Sequence, residues 1–247
     1  MTDRVRNILL IGGTHEAVLI NEKLASRPDM NLVTSLAGRT KYPDNLSGEV
    51  LKNGFADHDG MAAFLKKRAI DLVIDASHPY AVQISRKASD LCRGQGIRYL
   101  RYERPAWQEE PGDRWIRVSS VEEAVRGAAS FSRLFLSIGR QEISAFERLS
   151  PDLVLLRSVE PVSFTSQKGE VRHILKKGPF DLENEIRLLK EHDIQALVSK
   201  NSGGKAVYPK IEAARSLGLP VILLDRPVSP QGEVITSLDT LLDILAG

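Results

Sequence analysis

Residues 8–17 read ILLIGGTHEA: an apolar run stops at Gly12 and Gly13, and Thr14, His15 and Glu16 follow at once. Glycines at such a point let backbone N–H groups approach a pyrophosphate, and a helix starting there turns its positive end toward the anion. The full GxGxxG pattern is absent, and a plain strand-to-helix turn that needs positive φ would use the same letters. Glu16 suits a phosphate poorly, because an acid in the first helical turn competes with it. A hydroxyl partner, or simply a favoured helix start, suits it better.

Other apolar runs also end on residues able to do chemistry. SLAGRT sets Arg39 and Thr40 where a dinucleotide-binding fold selective for NAD carries an acid for the ribose 2′-hydroxyl. Arginine there can form paired hydrogen bonds to a 2′-phosphate, which points to NADPH. DLVIDAS runs into Ser77, His78 and Pro79. Proline fits a first helical turn, and the histidine can bind cofactor, donate a proton or cap the turn. Further on, SIGRQE offers Arg140, and VSKNSGG offers Lys200, Asn201, Ser202, Gly203 and Gly204, a set of cations and small donors suited to an anion. Tyr208 and Lys210 flank Pro209 in a Tyr-x-Lys spacing that proline keeps out of a regular helix, and Asp225 to Pro227 close a strand. No serine sits in a nucleophile elbow and no phosphate-transfer loop carries its lysine, so hydrolase and kinase chemistry find no support.

The elements that must position these residues alternate. NILLIGG, NLVTSLAG, DLVIDAS and RYLRYER read as strands buried on both faces of a parallel sheet. Between them HEAVLINEKLASR aligns Ala17, Ile20 and Leu24 on one stripe. YAVQISRKASDLCRGQG aligns Ala81, Ile84, Ser85, Ala88, Leu91 and Cys92 before ending at Gly94 and Gly96, which makes Cys92 a core residue. ERPAWQEEPGDR, residues 103–114, breaks the pattern, and a second alternating set follows from RWIRVSS, with Ser119 or Ser120 capping VEEAVRGAASF, to the terminal helix SLDTLLDILAG. The expected fold is α/β: two Rossmann-like halves with mainly parallel sheets facing a central cleft, 1–104 binding NADP and 114–247 completing the cleft, joined by a linker at about 105–113.

Composition narrows the partners. The 247 residues are 42% hydrophobic and 27% charged with a net charge of +2, too balanced for a nucleic-acid binder that works by phosphate neutralisation. No apolar run is long enough to span a membrane, and the start of the chain does not read as a signal peptide. Cys92 is the single cysteine, which fits a cytoplasmic location. His15, His58, His78, His173 and His192 are scattered, so no protein-bound metal is expected.

Taken together and in order, IGGTHEA, SLAGRT, DASHPYA, RYERPAW, SIGRQE and KNSGG…YPKIEAARSLGLPVILLDRP resemble the precorrin-6A reductase family of corrin biosynthesis, over nearly the whole chain. The resemblance implies a two-domain, NADPH-dependent reductase that reduces one ring double bond of precorrin-6A, giving precorrin-6B on the route to cobalamin. It also implies a polycarboxylate tetrapyrrole as partner and allows transient contact with neighbouring pathway enzymes. Under it, Gly12, Gly13, Thr14, Arg39, Thr40, Ser77 and His78 hold the cofactor, and Arg140, Lys200, Asn201, Ser202 and Gly203 hold the macrocycle. The proton donor is unassigned. Three alternatives stay open on the residues alone: the cobalt-containing substrate of a sister group, a reductase or epimerase of a small carbonyl compound, and a non-enzymatic NADP-binding redox sensor. The second would need a Tyr-x-x-x-Lys on a helix, which is not found.

Overall fold

A computed structural model describes residues 5–36 and 46–246. Two compact units divide the chain: Met1–Arg104 with Val228–Gly247, and Pro105–Pro227.

The first unit opens with β1 (Arg6–Ile11), α1 (His15–Ala25), β2 (Met30–Ser35), β3 (Glu49–Leu51), α2 (Met61–Lys67), β4 (Leu72–Asp75), α3 (Val82–Gln95) and β5 (Arg98–Tyr102). Alternation along β1 explains why its residues 8–11 are all apolar. Ile8 and Leu10 pack with Ala17, Ile20 and Leu24 of α1, whereas Leu9 and Ile11 pack with Met61, Phe64 and Leu65 of α2 and Ala88 and Cys92 of α3. Helices therefore cover both faces, and Cys92 lies in the core, where burial pushes its thiol up to about 11. α3 begins at Val82, so Pro79 lies in the turn before the helix and outside its first turn.

The second unit carries β6 (Trp115–Val118), α4 (Val121–Ala128), β7 (Arg133–Ser137), α5 (Arg140–Ile143), β8 (Leu153–Ser158), β9 (Glu170–Leu175), α6 (Leu182–Glu191), β10 (Ala196–Lys200), α7 (Pro209–Ser216) and β11 (Val221–Leu224). Ser120 is the cap of α4: its side chain accepts from the Glu123 N–H at 3.2 Å, while the Glu123 carboxylate accepts from the Ser119 N–H at 2.8 Å. Phe135, Leu155, Leu197 and Leu223 from four strands share one core with Leu189 of α6 and Ile211 of α7.

The chain then returns to the first unit as β12 (Glu233–Ile235) and α8 (Leu238–Ala246). Every strand pairing is parallel, and the orders are β12-β5-β4-β1-β2-β3 and β6-β11-β10-β7-β8-β9. Both share a doubly wound pattern: from a central strand, β1 or β7, the next two strands build outward one way and the following two the other way. The outermost strand beside each fifth strand is exchanged. β6 follows β5 in sequence yet pairs with β11, and β12 follows β11 yet pairs with β5.

This exchange corrects the expected second half at 114–247. Residues 228–247 belong with the first unit because Ile235, Leu241 and Leu245 bury among Ile8, Leu10 and Leu24. At the other end, residues 105–113 are part of the second unit, with Trp107 in its core.

Candidate functional site

Open parallel sheets bind ligands beyond the carboxyl ends of their strands, near the place where strand order reverses. In the first sheet that place lies between β1 and β4. The Gly12 N–H donates to Ser35 O at 2.9 Å, and a Cβ at Gly12 would stand 3.2 Å from Leu36 Cδ2, so the turn is tightly seated. Gly13 has φ +115°, and nothing lies within 4 Å of where its Cβ would be. Glycine is thus required at 13 by backbone conformation, and its outer side is open. Thr14 fastens the turn: Oγ1 donates to Ala76 O at 2.7 Å and accepts from the Ala17 N–H at 3.2 Å as the cap of α1.

Glu16, awkward beside a phosphate, is answered by Arg104, whose Nη1 donates to Glu16 Oε2 at 2.6 Å. Both residues line a small recess together with Thr14, Ala76, Ser77 and Tyr102. Ser77 faces inward. Its N–H donates to Asp75 Oδ1 at 2.9 Å, and its Oγ accepts from Arg101 Nη1 at 3.0 Å. Asp75 and Arg101 form a buried ion pair at 2.8 Å, and the Tyr99 hydroxyl donates to Asp75 Oδ2 at 2.7 Å. Burial, and then Asp75, push the Tyr99 phenol far above its ordinary range, so it stays a donor. His78 Nδ1 accepts from the Tyr80 N–H at 3.3 Å, the capping role its position allowed. Arg39 and Thr40 lie outside the described residues.

In the second sheet the order reverses between β7 and β10, whose ends hold Ser137 and Lys200. Lys200 Nζ donates to Glu142 Oε1 at 2.6 Å. Gly139 makes room for this pair, since a Cβ there would stand 2.5 Å from Glu142 Oε2 and 2.9 Å from Lys200 Nζ. Arg140 extends into solvent, with Nη1 3.7 Å from Glu160.

The KNSGG loop is pinned by residues of its own unit. Asn201 Oδ1 accepts from the Trp107 N–H at 2.8 Å and Asn201 Nδ2 donates to Trp107 O at 3.1 Å. The Trp107 indole N–H donates to Gly204 O at 3.1 Å, and Arg226 Nε donates to Asn201 O at 2.8 Å. At Gly203, φ is +66° and a Cβ would meet Pro105 O at 2.2 Å. Asn201 and Gly203 therefore serve the architecture of the loop, which departs from the ligand-facing roles expected of them. Ser202 is buried beside them and its N–H donates to Lys200 O at 2.8 Å.

One pair was not anticipated. Lys210, buried at the start of α7, donates from Nζ to Ser137 Oγ at 2.9 Å. Burial, reinforced by the neighbouring Arg157 and opposed by Glu185, pushes its ammonium down to about 7. Arg157 is itself held by both oxygens of Glu185, at 2.7 and 2.9 Å, and stacked between the rings of Phe180 and Phe135. A signal for this burial is present in the sequence: Lys210, Ala213, Ala214 and Leu217 share one helical stripe. Tyr208 points elsewhere, its hydroxyl donating to Glu110 Oε1 at 3.1 Å and accepting from Arg215 at 2.5 Å, so Tyr208 and Lys210 do not act as a pair. Among the described residues no helix is long and apolar enough to cross a membrane.

Two doubly wound sheets, with a glycine turn capped by threonine at the centre of one and a lysine–serine pair at the centre of the other, define a two-unit α/β protein with parallel sheets. Residues 7–246 match the family described as Precorrin-6x reductase CbiJ/CobK, and the chain belongs to that family of reductases. It is 39% identical over 240 residues to the precorrin-6A reductase of Sinorhizobium sp, covering 97% of this chain and 92% of the relative. To the precorrin-6A reductase of Rhodococcus erythropolis it is 38% identical over 224 residues, covering 90% of each. A solved structure titled CobK precorrin-6A reductase superposes with a TM-score of 0.84 at 33% identity, covering 98% of this chain and 96% of that one. Relatives named for the cobalt-containing substrate match less well, at 26–30% identity.

Proposed function

We propose that this protein reduces one ring double bond of precorrin-6A with NADPH. Family membership over residues 7–246 carries the reading, and the metal-free macrocycle is preferred because the relatives named for it are the more similar. A reductase of this kind implies a nicotinamide cofactor, which supplies a hydride. The first unit suits it: the positive-φ glycine at 13 has an open outer side, and Thr14 fixes the start of α1 so that its positive end faces the same edge.

Gly12, Gly13 and Thr14 seat the pyrophosphate in this reading. Arg39 and Thr40 reach the 2′-phosphate and so select NADPH over NADH. Ser77 and His78 border the cofactor, Ser77 as part of the Asp75–Arg101 network that stiffens the end of β4. Lys200, Arg140 and the backbone of the KNSGG loop receive carboxylates of the macrocycle at the end of the second sheet. Hydride transfer needs no covalent nucleophile, so orientation does most of the work.

Binding of NADPH and NADH by calorimetry, followed by turnover with enzymatically prepared precorrin-6A, tests the assignment. Preference for NADPH is expected to fall at least tenfold in Arg39→Ala. Equal affinity of the wild type for both dinucleotides would remove NADPH, and absence of turnover with either would remove the reaction.

A further inference from the structure

Lys210 is 5% exposed and forms no ion pair among the described residues. Its partners are Ser137 Oγ and the face of the Trp107 ring, 5.7 Å from Nζ to ring centre. The charged groups that face it are Arg157 on β8 and Glu185 on α6, and Glu185 is already engaged by Arg157. The positive end of α7 adds to the repulsion. An ammonium so placed is costly, and a methionine of similar length would fill the same space without the cost. Something other than packing keeps a lysine there.

Ser137 differs from it in one respect: it is only partly buried. It closes β7, where the strand order of the second sheet reverses. Because Lys210 donates to Ser137 Oγ, the hydrogen of the serine hydroxyl is left to donate in another direction. A proton can therefore pass from a buried reservoir through a hydroxyl to the ligand edge.

We propose that Ser137 is the proton donor of the reduction and that Lys210 is the positioning residue that reloads it. The inference rests on the reductase reading above. The π bond of one ring C=C breaks; one carbon receives a hydride from the reduced nicotinamide, which is oxidised. The other carbon, left with the π electron pair, forms its C–H bond with the proton of Ser137 Oγ. The serine oxygen recovers a proton from Lys210 Nζ, and the amine recovers one from water. One macrocycle, one reduced nicotinamide and one proton are consumed per turnover.

Lys210→Met and Ser137→Ala in the full chain, assayed with precorrin-6A and NADPH on both sides of pH 7, provide the test. The wild type is expected to lose kcat as pH rises through the Lys210 transition. Both variants should lose on the order of 10²-fold or more in kcat, with the Kd for NADPH unchanged and the alkaline limb absent. A readout independent of turnover comes from NMR of the protein labelled with ¹³C at lysine Cε: one signal should titrate in step with kcat and be missing in Lys210→Met. Wild-type kcat and pH profile in Lys210→Met would overturn the pair while leaving the reductase reading intact. Absence of turnover in the wild type would overturn both. If the variants do not fold, the wild-type titration decides: every lysine charged up to the ordinary lysine range, or a kcat indifferent to pH near 7, overturns the proposal.

Discussion

Asn201 closes its side-chain amide around the backbone of Trp107, accepting from the N–H at 2.8 Å and donating to the carbonyl at 3.1 Å. The side chain thus imitates a strand neighbour for a buried segment that has none. Asn201→Ala leaves a buried N–H and C=O unpaired and should destabilise the second unit by about 1–3 kcal/mol, measured by urea unfolding. Unchanged stability with weakened macrocycle binding would return Asn201 to the ligand.

Asp75 and Arg101 are both essentially inaccessible; Asp75 is the nearer counter-charge of the guanidinium at 2.8 Å, and Glu103 lies 3.4 Å from its Nε. Asp75→Ala leaves the buried guanidinium only the longer contact to Glu103 and also removes the acceptor of the Tyr99 hydroxyl and the Ser77 N–H. A loss of about 3–5 kcal/mol is expected in thermal or urea unfolding, characteristic of breaking a buried pair from one side. A loss below ~1 kcal/mol would mean that water reaches the pair.

Two glycines should respond differently to the same substitution. Gly13→Ala forces alanine into φ +115° but meets no atom, so a strain of about 1–3 kcal/mol is expected, with NADPH affinity falling more than stability. Gly203→Ala drives a methyl into Pro105 O and should impair folding of the second unit outright. Circular dichroism and NADPH titration on both variants separate the two outcomes.

Lys210 makes stability depend on pH in a definite direction. Its folded-state value, about 7, lies below the ordinary 10.5, so between these values the unfolded chain binds more protons. The lysine's penalty is full below about pH 7 and is relieved as pH rises toward 10.5. Lys210→Met should therefore be more stable than the wild type by about 1–3 kcal/mol at neutral pH and below, and the gap should close toward alkaline pH. Parallel unfolding curves at all pH values would show that the lysine is not buried as a cation.

Much of this architecture is legible in the letters. The runs in β1, β4, β7, β8, β10 and β11 are apolar through their centres because helices cover both faces of each sheet. β3 and β12 leave almost no trace, being three residues long, and β9 alternates too weakly, since most of its residues face solvent at an edge. The exchange of outer strands is illegible for another reason: the amphipathic stripe of α8 fits the face of either sheet, and only register with β5 fixes its owner. At the site, the Gly13–Thr14 turn announces itself because positive φ and helix capping are local properties. Asn201 does not, because a polar residue after a strand reads the same whether it faces a ligand or clamps its own backbone. Lys210 is legible only through the apolar stripe it shares with Ala213 and Ala214, because a charged letter is ordinarily assigned to the surface.

Hydride transfer to the macrocycle is tested most directly with NADPH deuterated at the transferable position of nicotinamide C4, incubated with the protein and precorrin-6A without oxygen. Mass spectrometry should find one carbon-bound deuterium in a macrocycle reduced by two hydrogens, with one NADPH consumed per ring. NADPH that binds tightly but is not consumed, beside a macrocycle of unchanged mass, would contradict the assignment.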